Sequence, residues 1–283
     1  MFWDKVKKIL TYENYEPVIY RESLKEAYSS KSVAGGTLRG RTVLITGASG
    51  DIGRALSVRY IDEGCNIILA GRSEKKLDDT ISYIYTKRTE FNYSKLVFDM
   101  TDKQSILNAV QRLKKQNQSI DVLICNAGFF SGDDRNGVFR KYQVDNFMTS
   151  WRTNYIGVCY LCEEMAEYMS NNTSESKIIL ISSICAIQKK AQYTPYGMSK
   201  AASTEFVRSL RTIYPGISMN IIFPGSVATK MGNIKTGDNI AKKSNKLNRV
   251  ILPEEIASLA AFLSSDVGYY VKDGIIAAAC EML

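Results

Sequence analysis

The chain has 283 residues, enough for one large α/β domain or two small ones with a well-filled core. It contains no histidine, which excludes a Ser-His-Asp triad, a Cys-His dyad and any histidine-ligated metal site, and leaves acid/base chemistry to Tyr, Lys, Asp, Glu or Cys. The 37 Lys plus Arg against 29 Asp plus Glu give a formal charge of +8 in an otherwise ordinary globular composition, a charge that suits a phosphorylated cofactor, an acidic carrier, nucleic acid or an anionic membrane alike.

Residues 1–38 are polar, tyrosine-rich and end in Ser29-Ser-Lys-Ser-Val-Ala-Gly-Gly-Thr37, so they are expected to form an appendage rather than a domain. Within it, residues 3–10 have the pattern of a short basic amphipathic helix, expected to pack on its own domain or on a partner subunit. Neither a secretory leader nor a stretch of roughly 20 apolar residues is evident, and a cytoplasmic protein without stable membrane insertion is expected.

Residues 39–283 have the pattern of a single domain. Apolar, β-branched runs at 42–46, 66–70, 95–99, 121–125, 177–182 and 218–223 alternate with longer segments at helical period. A seventh run, 274–279, follows a helix opened by Pro253 and favoured by Glu254 and Glu255 at its positive end. The expected fold is α/β: a Rossmann-type, doubly wound, mostly parallel sheet of seven strands with helices on both faces. Cys65, Cys125, Cys159, Cys162, Cys185 and Cys280 sit mostly in apolar runs and are expected to be free thiols; no metal site is expected.

The first run leads into Gly47, Ser49, Gly50, Asp51, Ile52 and Gly53, a glycine-rich turn at the start of a helix. Glycines let such a turn close and let backbone amides approach a pyrophosphate, while the helix end adds free N–H groups and positive dipole. The second run ends in Ala70-Gly71-Arg72-Ser73, without the carboxylate that usually holds a ribose 2′-hydroxyl there. Arg72 suits a 2′-phosphate instead, with Arg54 as a second nearby charge, although Glu74 is close by; NADP(H) is expected over NAD(H).

Tyr196 and Lys200 stand four residues apart, on one face of a helix. The spacing alone is uninformative, because Tyr83 and Lys87 repeat it. Context separates them: Tyr83 lies on a connecting helix, whereas Tyr196 follows the fifth run, which ends in Ser182 and Ser183. A phenol is a poor base at neutral pH, but a neighbouring ammonium stabilises its phenolate.

In these features the sequence resembles the classical short-chain dehydrogenase/reductase family over roughly residues 40–283. The resemblance selects Ser183, thirteen residues before Tyr196, over Ser182. It matches Asn154 to the family's helix asparagine and Cys125-Asn126-Ala127-Gly128 to its motif after strand four. Asp99 and Met100 match the pair flanking the adenine, and Pro224, Gly225, Val227 and Thr229 match the segment closing on the nicotinamide amide. What it implies is NADP(H)-dependent interconversion of a carbonyl and a secondary alcohol by hydride transfer. In that reading Tyr196 is the acid/base and Ser183 bonds the substrate oxygen. Lys200 also holds the nicotinamide ribose, and Asn154 positions a water linking Lys200 to solvent. A homodimer or homotetramer is implied by analogy.

Two departures stand out. Asp51 occupies a usual glycine position and, just ahead of the first helix, is expected to turn back as its N-cap. The last strand ends Ala279-Cys280-Glu281 where relatives often carry Gly-Gly. Residues 230–249, the place of the family's substrate lid, hold Lys230, Lys235, Lys242, Lys243, Lys246 and Arg249 against Asp238 alone. A solvated loop is the plain reading of such a run, and an anionic or carrier-linked substrate the sharper one. The competing functions are a non-catalytic cofactor-binding relative, suggested by Asp51, and a nucleotide-sugar epimerase or dehydratase, suggested by the glycine spacing. Nucleic acid is not needed to account for the charge.

Overall fold

In the computed structural model, described for residues 36–131, 144–172, 175–188, 194–234 and 249–278, the apolar runs form seven strands. They are β1 (Thr42–Thr46), β2 (Asn66–Gly71), β3 (Tyr93–Val97), β4 (Val122–Cys125), β5 (Lys177–Ile181), β6 (Ser218–Pro224) and β7 (Ile275–Ala278). All neighbours pair in parallel, in the order β3-β2-β1-β4-β5-β6-β7. Among the described residues the helices are α1 (Asp51–Asp62), α2 (Glu74–Tyr85), α3 (Lys103–Lys115), α4 (Val144–Trp151), α5 (Gly157–Asn172), α6 (Thr194–Ile213) and α7 (Pro253–Ser264), with a π-helical turn at Arg152–Ile156 and a 3₁₀ turn at Ile184–Ala186. This is the doubly wound α/β fold that the alternating pattern predicts.

Side chains alternate across the sheet and build one core on each face. Leu44, Leu123, Ile178 and Ile221 face α3, α5 and α6, where they meet Ile106, Val110, Leu161, Met165 and Val207. Val43, Ile45, Leu69, Ile124 and Ile222 point the other way, against Leu56 and Tyr60 of α1, Leu77 and Ile81 of α2, and Ile256 and Ala260 of α7. Strands buried on both faces have no polar side to display, hence their near-continuous apolar sequence.

The third strand lies two residues earlier than its apolar run, 95–99, predicts. It has only β2 as neighbour, and the ladder from Ile67↔Tyr93 to Gly71↔Val97 sets its limits. Tyr93 and Val97 are exposed, while buried Phe98 lies past the last rung, its N–H donating to Gly71 O at 3.1 Å. At this edge, backbone pairing and apolar burial are offset in sequence. Of the expected appendage, residues 1–35 lie outside the described residues, whereas Leu38 is buried in the core beneath α1. Also outside are 132–143, 235–248 and the last five residues, with Cys280 among them. Cys65, Cys125, Cys159, Cys162 and Cys185 are free thiols.

Helix α1 is fixed to α7 by a buried polar contact. The Tyr60 hydroxyl, fully buried, lies 2.7 Å from Ser264 Oγ, whose own hydrogen goes to Ala260 O at 2.8 Å, so Tyr60 is the donor. Tyr60→Phe should therefore leave Ser264 bonded and cost about 1 kcal/mol, lowering the urea midpoint with an unchanged m-value and Tm by roughly 2–4 °C.

Candidate active site

The strand order reverses between β1 and β4, and crossovers running in opposite directions leave a crevice at the carboxyl ends of those strands. There the protein has a cavity of about 780 Å³, lined from the β1–α1 turn to the start of α6. Thr46 and Asn126 set its floor. Thr46 Oγ1 donates to Ile124 O at 3.2 Å and accepts the Asn126 and Ala127 N–H groups, both at 3.0 Å; Asn126 Nδ2 returns to Thr46 O and Gly47 O at 2.9 and 3.2 Å.

Along one wall lie Gly47, Ser49, Gly50, Asp51, Ile52 and Gly53. Gly47 has φ +63°, and a Cβ there would stand 2.8 Å from Ala127 Cα. A side chain on Gly53 would run into the Gly47 carbonyl and Ala48. The turn thus packs against its own helix and against the β4 end, in space any side chain would fill, and the cradle fits a pyrophosphate approached by backbone amides. Asp51 departs from expectation. The N-cap of α1 is Gly50, with no side-chain bond, and Asp51 is the first helical residue. Its carboxylate turns away from the helix amides to accept the Lys230 N–H at 2.6 Å, across the cleft.

At the end of β2, Arg72 and Lys76 both line the cavity. Of the neighbouring acids, Glu74 and Asp78 are held by Lys95 Nζ at 2.8 and 2.7 Å, whereas Asp79 lines the cavity with Arg72 and Lys76. Arg54 also lines the cavity, but its guanidinium lies 5.3 Å over the Tyr83 ring and Nε donates to Thr80. Lys76 is absent from the sequence-derived set. Two lysines, Lys75 and Lys76, in the first turn of α2 oppose the helix dipole, and that was the available signal. Asp99 and Met100 line the same end, where Asp99 Oδ1 accepts the N–H and hydroxyl of Thr101, both at 2.8 Å.

At the far end Ser183, Tyr196 and Lys200 come together, and Asn126, Ala127, Gly128, Pro224, Gly225, Val227 and Thr229 line the same cavity. Ser183 caps the 3₁₀ turn, its Oγ accepting the Cys185 N–H at 3.2 Å. Ser182 instead packs inward, bonding Thr204 Oγ1 at 2.9 Å and Lys200 O at 3.3 Å. The Tyr196 ring packs edge-on against Phe130, and Lys200 Nζ lies 6.0 Å from its centroid. Lys200 is buried and donates to Ile181 O at 2.9 Å.

Asn154 is fully buried in the π-helical turn. It accepts the Phe129 N–H at 2.7 Å and donates to Phe129 O, Ser150 Oγ and Ser199 Oγ at 2.8, 3.0 and 3.1 Å. Ser199 passes the chain on to Tyr196 O at 2.8 Å, a link that sequence reasoning missed. From where a Cβ on Gly128 would stand, Asn154 Oδ1 is 3.4 Å and Lys200 Nζ 3.5 Å away. Among the described residues no group of His, Cys, Asp and Glu is placed to hold a metal ion, and no helix is long and apolar enough to cross a membrane.

A doubly wound sheet with a glycine-rich turn and a Ser-Tyr-Lys corner facing one cleft has the architecture of a dinucleotide-dependent α/β enzyme. The chain belongs to the short-chain dehydrogenase family, whose model matches residues 41–239. It is 27% identical over 240 residues to a 3-oxoacyl-[acyl-carrier-protein] reductase of Chlamydia pneumoniae, covering 83% of this chain and 94% of that protein. To L-rhamnose 1-dehydrogenase (NADP(+)) of Thermoplasma acidophilum it is 27% identical over 240 residues, covering 82% and 92%. A solved structure of a putative gluconate dehydrogenase from Agrobacterium tumefaciens superimposes with TM-score 0.77 at 25% identity, over 87% of this chain and 96% of that one.

Burial pulls the Lys200 ammonium down to about 8 from an ordinary 10.5. The folded protein then binds this proton less tightly than the unfolded chain, so the charged lysine opposes folding below pH 8, and the opposition lifts as pH rises toward 10.5. Lys200→Met should be free of it: in urea titrations, the stability of the variant relative to wild type should fall by about 2 kcal/mol between pH 7 and pH 10.

Proposed function

We propose that the protein is an NADP(H)-dependent oxidoreductase that interconverts a carbonyl and a secondary alcohol, with Tyr196 as the acid/base. The convergence of Tyr196, Ser183 and buried Lys200 at one end of a cleft whose other end is a glycine-rich turn carries this reading. When bound, the nicotinamide supplies a hydride in reduction and takes one in oxidation.

The chain's own residues would do the rest. In reduction the Tyr196 phenol gives its proton to the carbonyl oxygen as the carbon gains hydride, and in oxidation the phenolate takes the proton back. Ser183 Oγ, whose lone pair accepts the Cys185 N–H, has its hydroxyl hydrogen for the same substrate oxygen. Lys200, charged below about pH 8, holds the phenolate down in energy, and its remaining N–H groups suit the ribose hydroxyls. Asn154 fixes the Phe129 backbone on one side and, through Ser199, the Tyr196 carbonyl on the other. The water-positioning role implied by resemblance is supported by Asn154 Oδ1 and Lys200 Nζ both facing Gly128.

Gly47, Ser49, Gly50, Ile52 and Gly53 would hold the pyrophosphate, Asp99 and Met100 the adenine, and Pro224, Gly225, Val227 and Thr229 the nicotinamide amide. The preference for NADP(H) is supported by Arg72 and Lys76 together, with Glu74 and Asp78 drawn off by Lys95. The NADP(+) in the name of the Thermoplasma relative agrees with it. For the substrate, Phe130, Ile184 and Cys185 supply apolar lining near the reacting corner. Of the basic lid residues, Arg249 is held bidentate by Glu255 at 2.6 and 2.7 Å, and residues 235–248 lie outside the described residues.

Tyr196→Phe is expected to lower kcat for carbonyl reduction by about 10²–10⁴-fold, with NADPH affinity retained; turnover near the wild-type rate refutes the mechanism. Arg72→Ala should raise the KM for NADPH by about tenfold and leave that for NADH nearly unchanged. Equal changes in both would remove the 2′-phosphate assignment.

A further inference from the structure

Residues 226–228 are fixed to the rest of the domain by backbone bonds, Ile251 N–H to Ser226 O and Ala228 N–H to Ile251 O, both 2.9 Å. Beyond them the chain folds into a small turn of its own. Gly232 donates to Thr229 Oγ1 at 3.2 Å, Asn233 to Lys230 O at 3.0 Å and Ile234 to Thr229 O at 3.1 Å. Among the described residues, one bond reaches this turn from Asp51, 179 residues away, whose carboxylate accepts the Lys230 N–H at 2.6 Å.

Both ends of that bond line the cavity. Asp51 opens α1 immediately after the glycine-rich turn, and residues 229–232 form part of the opposite wall. We propose that Asp51 and the Lys230 amide form a bridge over the phosphate end of the cleft, which a dinucleotide must open to leave. Asp51 is thus a positioning residue acting through the 229–234 turn. The bridge also accounts for a carboxylate beside an anion site. With the carboxylate committed to the Lys230 amide, the N-terminal amides of α1 are not capped by a side chain and stay directed at the turn.

This inference rests on the cofactor reading above, and one of its measurements is made without cofactor. Three proteins are compared: wild type, Asp51→Asn, which keeps an acceptor oxygen but no charge, and Asp51→Ala, which keeps neither. In the first measurement, hydrogen exchange of the Lys230 amide is followed in the cofactor-free protein. In the second, release of NADPH is followed by stopped-flow fluorescence during a chase with excess NADP+. Asp51→Ala is expected to speed both the exchange and the release by about tenfold, the scale of one hydrogen bond to a charged acceptor. Asp51→Asn should stay much nearer to wild type in both.

Unchanged exchange in Asp51→Ala overturns the bridge. Faster exchange with unchanged release overturns its control of the cofactor. Matching behaviour of the Ala and Asn variants leaves only a charge effect and likewise overturns it. A wild-type protein that binds neither NADPH nor NADH overturns the cofactor reading itself, while the exchange measurement still decides whether the bridge exists.

Discussion

Everything at the cleft depends on how the carboxyl ends of β1 and β4 are tied. Where two halves of a parallel sheet diverge, the last backbone groups of both strands lose their neighbours and need partners from side chains. Thr46 and Asn126 supply them reciprocally, one hydroxyl and one amide serving four backbone groups besides Gly47 O. That closure lets Gly47 press against Ala127, which brings the glycine-rich turn and the Asn126-Ala127-Gly128 segment to the same floor. A side chain of another shape at either position would leave buried donors unmet, at about 1–3 kcal/mol each.

The second constraint is a buried cation. Lys200 reaches the cleft from α6 and takes Ile181 O as acceptor, so the end of β5 and the start of α6 are joined through a buried ammonium. Ser182, bonded to Thr204 and to the Lys200 carbonyl, makes the same junction from the strand side. Desolvation makes such a lysine costly, and the tight placement of α6 keeps it there. Lys177, at the other end of β5, is buried too and donates to Ser265 O at 3.0 Å, but it lies far along the strand from the cleft. Of these two buried lysines, one on β5 and one on α6, only Lys200 lines the cavity.

Most of the fold was legible because parallel strands buried on both faces write themselves as apolar runs; β1 matches its run residue for residue. Strand β3 was the exception: an edge strand answers to its single neighbour's hydrogen bonds as much as to burial, and Tyr93 and Ser94 joined the ladder without an apolar signal. At the site, residue types and spacing pointed to Ser183, Tyr196 and Lys200, but contacts made across the fold left no local trace. Asp51 is the clearest case. Ahead of a helix it reads as a cap, because capping is the only partner its sequence neighbours offer, while its actual partner comes from the far side of the sheet. Ser199 was hidden for the converse reason, as a small residue of a kind found on many helices.

The two Tyr-x-x-x-Lys pairs show how far spacing reaches. Tyr83 and Lys87 sit on α2 and its C-terminal end, with the Lys87 ammonium 5.3 Å over the ring and the Arg54 guanidinium at the same distance. Lys87 is exposed, so water screens its charge, and the pair holds α1 to α2 through the ring of Tyr83. Tyr196 and Lys200 have the same spacing within α6, but Lys200 is buried and stands 6.0 Å from the Tyr196 ring beside a cavity. There the solvent that would screen the ammonium is absent, so its charge acts on whatever lies in the corner, the phenol included. The same Tyr-x-x-x-Lys spacing thus gives an exposed surface clamp at the end of α2 and a buried lysine beside a cavity in α6, and the difference lies in what packs around each lysine.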